Sequence, residues 1–281
     1  MGAPSSVDGG GRDDRPDATG ELDAAVDDAA AARDAGGEAT DAATPLPDAA
    51  PSEADAAATT GSCPAGATLC EGFERGAGEL VSPSCSGSGR ASLDAAVSRS
   101  GGQSLRVDGG GGYCDHVFSR IPLADHDGPL HVRFHVRLSA PLGAGHTTFA
   151  ALRDETDGRD LRLGGQNAVV VWNREIDDAT LPELSPAGTA SSVALAAGEF
   201  HCVEIAIDAS AGTLRTRVDG VEVEGLVSDG EPTHDRDAQW QRRAFAPRLS
   251  DLRLGWESYA GQALTVWFDD VAVGTAPLGC D

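Results

Sequence analysis

The sequence predicts an all-β domain, an antiparallel β-sandwich, preceded by a disordered N-terminal tail. Three observations carry this reading. From Cys63 onward, short runs rich in Val, Ile, Leu and aromatic residues are separated by Gly, Pro and Asp. No stretch there carries an apolar stripe at helical spacing, and many short strands at even intervals mark an antiparallel sandwich or barrel. Leu130–Leu138 alternates cleanly, with Val132, Phe134, Val136 and Leu138 on one face and His131, Arg133, His135 and Arg137 on the other.

Residues 1–61 form the tail and residues 62–281 the domain. Through Ser62 the chain holds 14 acids against three arginines, and residues 1–60 contain no aromatic side chain. Such a segment cannot bury enough apolar surface to offset chain entropy, so disorder is expected, with at most a fleeting helix over the Ala-rich 21–33. In the domain, strands are expected at 104–108, after the Gly101-Gly102 turn, and at 130–138, 147–152, 168–172, 200–207, 214–218, 252–256 and 264–273. Two segments, 174–192 and 225–249, are rich in Pro, Asp and Gly and too long for simple turns; loops of that length carry function or disorder.

Composition narrows the function. A net charge of −24 and a pI near 4.4 argue against nucleic-acid binding by simple electrostatics. All 21 basic residues are Arg, which reads as coding bias more than as function. Six Cys with no C-x-x-C pair and no zinc spacing favour disulfides and an oxidising, extracellular or cell-surface location. No apolar run reaches membrane-spanning length, and Met1-Gly-Ala-Pro-Ser-Ser carries no apolar signal core, so an export signal or lipid anchor would lie upstream of this chain.

The stretch 264–273 ends in Phe-Asp-Asp-Val-Ala-Val, and Cys-Glu-Gly-Phe-Glu at 70–74 opens the domain. Between them stand Phe-His-Cys-Val-Glu-Ile-Ala-Ile-Asp at 200–208 and a strand ending in Val-Asp-Gly at 218–220. In this order the motifs resemble the concanavalin A-like lectin/glucanase superfamily, including its LamG-type domains, over residues 63–281. The resemblance implies a jelly-roll sandwich. The tail resembles the Asp/Ala-rich tethers of bacterial surface lipoproteins; the alternative is a plain solubilising tail.

Asp269 is expected on the face shared by Val271 and Val273, where a carboxylate needs a compensating cation. Laminarinase-type glucanases hold a structural calcium at an Asp in an Asp-x-Val context. The resemblance therefore implies Ca²⁺ on Asp269, with backbone oxygens near Gly72 and Gly102 and the carboxylate of Glu74 completing the shell. Asp270 is expected to point to the opposite face. A solvated strand end is the alternative.

The polar face of 130–138 is the candidate ligand groove. Arg133, His135 and Arg137 suit acidic or hydroxyl-rich sugars. Trp172, Trp256 and Tyr259 are candidate stacking surfaces, although Trp256 is equally plausible as core. Glu204 is a candidate lone acid. The family's Glu-x-Asp-x-x-Glu catalytic strand is half present as Glu175-Ile-Asp177, but Thr180 replaces the second Glu, so retaining hydrolysis lacks its proton donor. A polysaccharide lyase site could be assembled from Arg133, His135, Gln166 and Tyr259. These features support a glycan-binding or adhesion module with no catalytic residues assigned; a polysaccharide lyase, and after it a glycoside hydrolase, is the alternative. If Phe73 lies opposite Val271, Cys63 falls beside Cys280; Cys85–Cys114 is then the next pair and Cys70–Cys202 the remainder, with the other connectivities still open.

Overall fold

A computed structural model describes residues 63–124, 128–175, 179–180, 193–229 and 245–281. The tail, most of 174–192 and most of 225–249 lie outside the described residues, as do Ile176 and Asp177 of the half-motif. In chain order the strands are β1 (Ala67–Glu71), β2 (Glu79–Val81), β3 (Arg90–Asp94), β4 (Ser104–Gly109), β5 (Val117–Pro122), β6 (Leu130–Leu138), β7 (Thr147–Asp154), β8 (Arg159–Gln166), β9 (Val169–Arg174), β10 (Ala179–Thr180), β11 (Phe200–Asp208), β12 (Thr213–Val218), β13 (Val221–Glu222), β14 (Leu249–Ser258) and β15 (Leu264–Gly274).

They form two antiparallel sheets. The first runs β13-β12-β11-β6-β15-β4-β3, with β1 also paired to β15; the second runs β10-β9-β8-β7-β14-β5-β2. Between them lies one apolar cluster, drawn from alternate residues of both sheets. From the first sheet come Val132, Phe134 and Val136 of β6 and Ile205 of β11; from the second come Leu152, Leu163, Trp172, Leu254 and Trp256. The period-2 pattern produces this arrangement, because side chains on one face of each strand are removed from water together.

β15 is the strand on which the first sheet is built. β6 pairs along one edge. On the other edge β4 pairs as far as Phe268, and β1 takes over at Val271. The change of partner falls on a bulge at Asp269–Asp270, where Asp270 adopts φ +48°. The bulge corrects the expected facing of Asp269. Its pairing with His135 puts it on the outer face with Trp267, while the added residue returns Val271 to the core face with Val266 and Phe268. Asp270 does not point away either: both carboxylates meet the turn at 99–100. Arg99 and Ser100 donate backbone N–H groups to Asp269 Oδ2 at 2.7 and 3.2 Å. Arg99 Nη1 and Ser100 Oγ reach Asp270 at 2.7 and 2.5 Å.

The disulfides are Cys63–Cys70, Cys85–Cys114 and Cys202–Cys280, with no free cysteine. Cys85–Cys114 agrees with the sequence reading; the other two pairings are corrected. Glu71, not Phe73, lies opposite Val271, because Phe73 leaves the strand in a left-handed turn (φ +58°) with its ring buried. The segment after β15 crosses the outer face of the first sheet and is stapled to β11. Gly279 N–H donates to Glu204 at 3.0 Å, and Arg133 and Arg99 donate to the carbonyls of Gly279 and Cys280, each at 3.4 Å.

The Cys202–Cys280 bridge closes a loop with sequence separation 78. A Cys202→Ala/Cys280→Ala variant is expected to lose about 4.5 kcal/mol on the chain-entropy relation, read as a lower denaturant midpoint with a somewhat steeper slope, since the uncrosslinked unfolded chain exposes more surface. A loss below about 1 kcal/mol would mean that the strap adds nothing by being tethered.

Candidate functional site: a cleft on the second sheet

The polar face of β6 is not an open groove. Arg133 and His135 are only 2% and 3% exposed beneath the C-terminal strap. Burial, reinforced by the charges of Arg99 and Arg133, drives the His135 imidazole down to about 4, so it is neutral at physiological pH. Glu204 is engaged by the Gly279 N–H and is no lone acid in a groove. A recess of about 130 Å³ remains beside the strap, among His131, Glu204, Arg217, Pro277 and Leu278. Trp172 is fully buried, its Nε1 donating to Thr216 Oγ1 at 2.7 Å, so it is core and offers no stacking surface; Trp256 is core as well. Gln166 lies half-buried at the end of β8 and Tyr259 follows β14, both on the second sheet. The lyase set assembled from Arg133, His135, Gln166 and Tyr259 is therefore split between the two sheets.

What the structure does bring together is on the outer face of the second sheet. Antiparallel partners share a face, so the register places Arg162 beside Ala151, Ala151 beside Arg253, and Arg253 beside Arg120, with Glu257 opposite Thr148. The small side chains Ala151 and Gly255 leave a hollow. A Cβ on Gly255 would come within 2.6 Å of Phe118 Cα and 2.7 Å of its ring, so only glycine lets Phe118 form the floor. The cleft, about 210 Å³, is lined by Tyr113, His116, Phe118, Asp160, Arg162, Glu175, Arg253, Glu257 and Tyr259, with the end of β2 as one wall.

Its charges are arranged in pairs. Arg162 bridges Glu175 at 3.2 Å and Glu257 at 3.4 Å. Glu257 also accepts from Thr148 Oγ1 at 3.2 Å and stands 3.6 Å from His116 Nδ1. Arg253 bridges Asp160 and Asp251, each at 2.9 Å, while Arg153 reaches Asp160 at 3.3 Å. Burial pushes the carboxyls of Glu257 and Asp160 upward despite these arginines, since desolvation outweighs the attraction. Burial and the Glu257 charge raise the Tyr259 phenol, which stays protonated.

An aromatic rim crosses this charged floor. His116 is held at its Nε2 by the backbone of Ser258, and Tyr113 and Tyr259 lie edge-on to it at 5.3 and 5.1 Å. The Arg162 guanidinium sits 5.9 Å from the Tyr259 ring centroid. Tyr259 was legible in the sequence, whereas Tyr113, His116, Arg162 and Glu257 were not: β5 and β8, which frame the cleft, are interrupted by Ser, Arg, Pro and Gly and escape a search for apolar alternation.

At the expected calcium site, Asp269 meets the 99–100 turn, and Glu74 accepts from the N–H groups of Gly102 and Gln103 at 2.8 and 3.4 Å. Among the described residues no group of three or more His, Cys, Asp or Glu gathers as a metal site.

A family model for a polysaccharide lyase-like, Cip1-like core domain matches residues 68–276. The chain belongs to this family. Among solved structures, the cellulose-induced protein Cip1 is 38% identical, covering 76% of this chain and 100% of its own, with a TM-score of 0.69. More remote are an endo-β-1,4-glucuronan lyase from the fungus Trichoderma reesei (17% identity, 75% and 96% coverage, TM-score 0.46) and domain 4 of AbnA, a GH43 extracellular arabinanase from Geobacillus stearothermophilus (13%, 75% and 92%, 0.45). A search of curated proteins returns no match. The Cip1-like jelly roll agrees with the fold expected from sequence, and the family places the chain among carbohydrate-related proteins. Among the described residues no helix is long and apolar enough to cross a membrane.

The pairing in the cleft has an asymmetric consequence. Arg162→Met leaves the buried Glu257 carboxyl without its guanidinium partner and is expected to cost about 3 kcal/mol. Glu257→Gln removes a group whose raised carboxyl favours the protonated form; a raised acid stabilises the fold below its unfolded value and loses that contribution as pH rises through the folded one. The Gln variant should therefore melt within a few degrees of the parent at pH 7 and show a flatter decline above the carboxylate range. Equal losses in the two variants would contradict this account.

Proposed function

We propose that the cleft on the second sheet binds a polysaccharide chain and that the protein is an extracellular carbohydrate-binding domain. One observation carries the reading: the chain's two tyrosines, 61% and 54% exposed, both line this cleft, one on each side of His116. Exposed aromatic faces are costly in water unless they are used, and they offer the flat apolar surface on which sugar rings stack. The carboxylates and guanidiniums below supply acceptors and forked donors for hydroxyl groups. The acidic tail would act as a spacer to a surface anchor.

β-Elimination at a uronate is the second reading, favoured by the meeting of Arg162, His116, Glu257 and Tyr259 and by the family's lyase-like description. Elimination needs a free cation for the uronate carboxylate and an available base for the ring proton. Here Arg162 already holds two carboxylates, His116 is buried with Nε2 engaged, and the Tyr259 phenol is shifted away from ionisation. These features favour binding.

Tyr113→Ala and Tyr259→Ala are each expected to weaken retention on the recognised polysaccharide about tenfold, ~1.4 kcal/mol, without lowering the melting temperature. Retention by both variants at parental strength would remove the cleft as the site. The ultraviolet band of unsaturated uronates, appearing with the parent and absent with Tyr259→Phe, would instead establish elimination.

We further propose a structural calcium at Asp269. The support is electrostatic: two adjacent carboxylates, Asp269 and Asp270, are buried with, among the described residues, the Arg99 guanidinium alone ion-paired to them, and burial pushes the Asp269 carboxyl up to about 6. Asp269, Glu74 and backbone oxygens near Gly72 and Gly102 would hold the ion, which supplies charge compensation. Without metal the raised carboxyl destabilises the fold as pH climbs through about 6. Calcium should reverse this at pH 7.5, adding about 2.7 kcal/mol at a hundredfold excess over Kd, and its effect should fade below pH ~6 as Asp269 protonates. A melting temperature indifferent to calcium and chelator, or an Asp269→Asn variant that still responds fully, would exclude the site.

A further inference from the structure

We propose a second ligand site, on the opposite face of the molecule, in which Arg137 and Trp267 bind the anionic group of an acidic saccharide. The site lies on the outer face of the first sheet and is independent of the cleft. Register sets Phe200 of β11, Arg137 of β6, Trp267 of β15 and Arg106 of β4 in one outward row. The guanidiniums of Arg137 and Arg106 lie over the indole at 5.5 and 5.6 Å, one from each neighbouring strand.

The two cations differ in one respect. Arg106 is occupied by Asp108, with Nε–Oδ2 and Nη2–Oδ1 both at 2.9 Å, and the indole N–H is taken by Asp94 at 2.9 Å. Elsewhere on this face Arg99 has Asp270, and Arg133 donates to carbonyls of the strap. Arg137 has none of these. Its buried Nε lacks a hydrogen-bond partner, and no carboxylate among the described residues pairs with it.

In a chain with 45 acids and 21 arginines, a half-buried guanidinium without a carboxylate marks a place where one is missing. The aromatic neighbours say what should bring it. Trp267 and Phe200 are half-buried, so each leaves ring surface at the protein boundary. A pyranose carrying a carboxylate or sulfate can stack its C–H face there while the anion takes the fork of Arg137. A neutral sugar would leave the guanidinium unpaired, so the site selects for charge.

The test uses the intact chain and tryptophan fluorescence. Trp172 and Trp256 are fully buried, which makes Trp267 the reporter at this face; Trp267→Phe checks the assignment against Trp240, which lies outside the described residues. Oligoglucuronate and a sulfated galactose oligosaccharide are titrated beside a neutral glucose oligosaccharide. The expected result is a saturable change with one or both acidic sugars, at least tenfold weaker in Arg137→Gln and lost in Trp267→Phe; whichever acidic sugar responds identifies the anion as carboxylate or sulfate. Tyr259→Ala should leave this signal intact, which separates the site from the cleft. Arg137→Lys, keeping the charge over the ring but losing the fork, is expected to bind several-fold more weakly at an unchanged melting temperature. No saturable change with either acidic sugar, an equal response to the neutral one, or parental affinity in both Arg137 variants would overturn the proposal.

Discussion

Two carboxylates at the bulge of β15 hold the first sheet together. Asp269 takes N–H groups from Arg99, Ser100 and its neighbour Asp270, and Asp270 takes the side chains of Arg99 and Ser100. At this point β4 ends its pairing and β1 begins, so one strand serves two neighbours along a single edge. The extra residue resets the alternation, keeping Val266 and Phe268 before it, and Val271 and Val273 after it, in the same core. Were the bulge absent, either the second half of β15 would turn its valines to solvent or β1 would lose its register.

The path of the chain after β15 sets which part of the first sheet's outer face is open. After Gly274 the C-terminal segment crosses the outer face of the first sheet, where Cys280 is bonded to Cys202 and Gly279 N–H donates to Glu204. The strap covers Arg133 and His135 and leaves the end of the face with Arg137 and Trp267 uncovered. The two proposed sites accordingly lie apart: a strip beyond the strap on one sheet and a walled hollow on the other.

The cleft gathers much of its charge into ion pairs beneath an aromatic rim. Arg162 holds Glu175 and Glu257, and Arg253 holds Asp160 and Asp251, so the floor is dense in hydrogen-bonding groups. The raised carboxyls of Glu257 and Asp160 record the desolvation this requires. On the proposed reading, such a floor would meet sugar hydroxyls through fixed geometry and leave stacking to the aromatic rim.

Some of this was written in local pattern. The alternation of 130–138, the apolar in-facing residues of 200–207 and the β-branched run at 264–273 specify strands wherever they are placed, because burying one face needs only neighbours of the right period. The ordered motifs at 70–74, 200–208 and 268–273 were enough for the jelly roll, and six cysteines were enough for three bridges. Which cysteines meet, whether Asp269 faces in or out, and whether the polar side of β6 is open depended on a single-residue bulge and on the path of the last seven residues. Neither leaves a local signature. The cleft was the least legible, since Tyr113, His116, Arg162, Glu257 and Tyr259 come from parts of the chain that only strand pairing makes adjacent. The sequence by itself determined the strands and their inward faces, since a period-2 pattern is local; the tertiary structure decided the site, since ion pairs and aromatic contacts across a sheet exist only once the register is set.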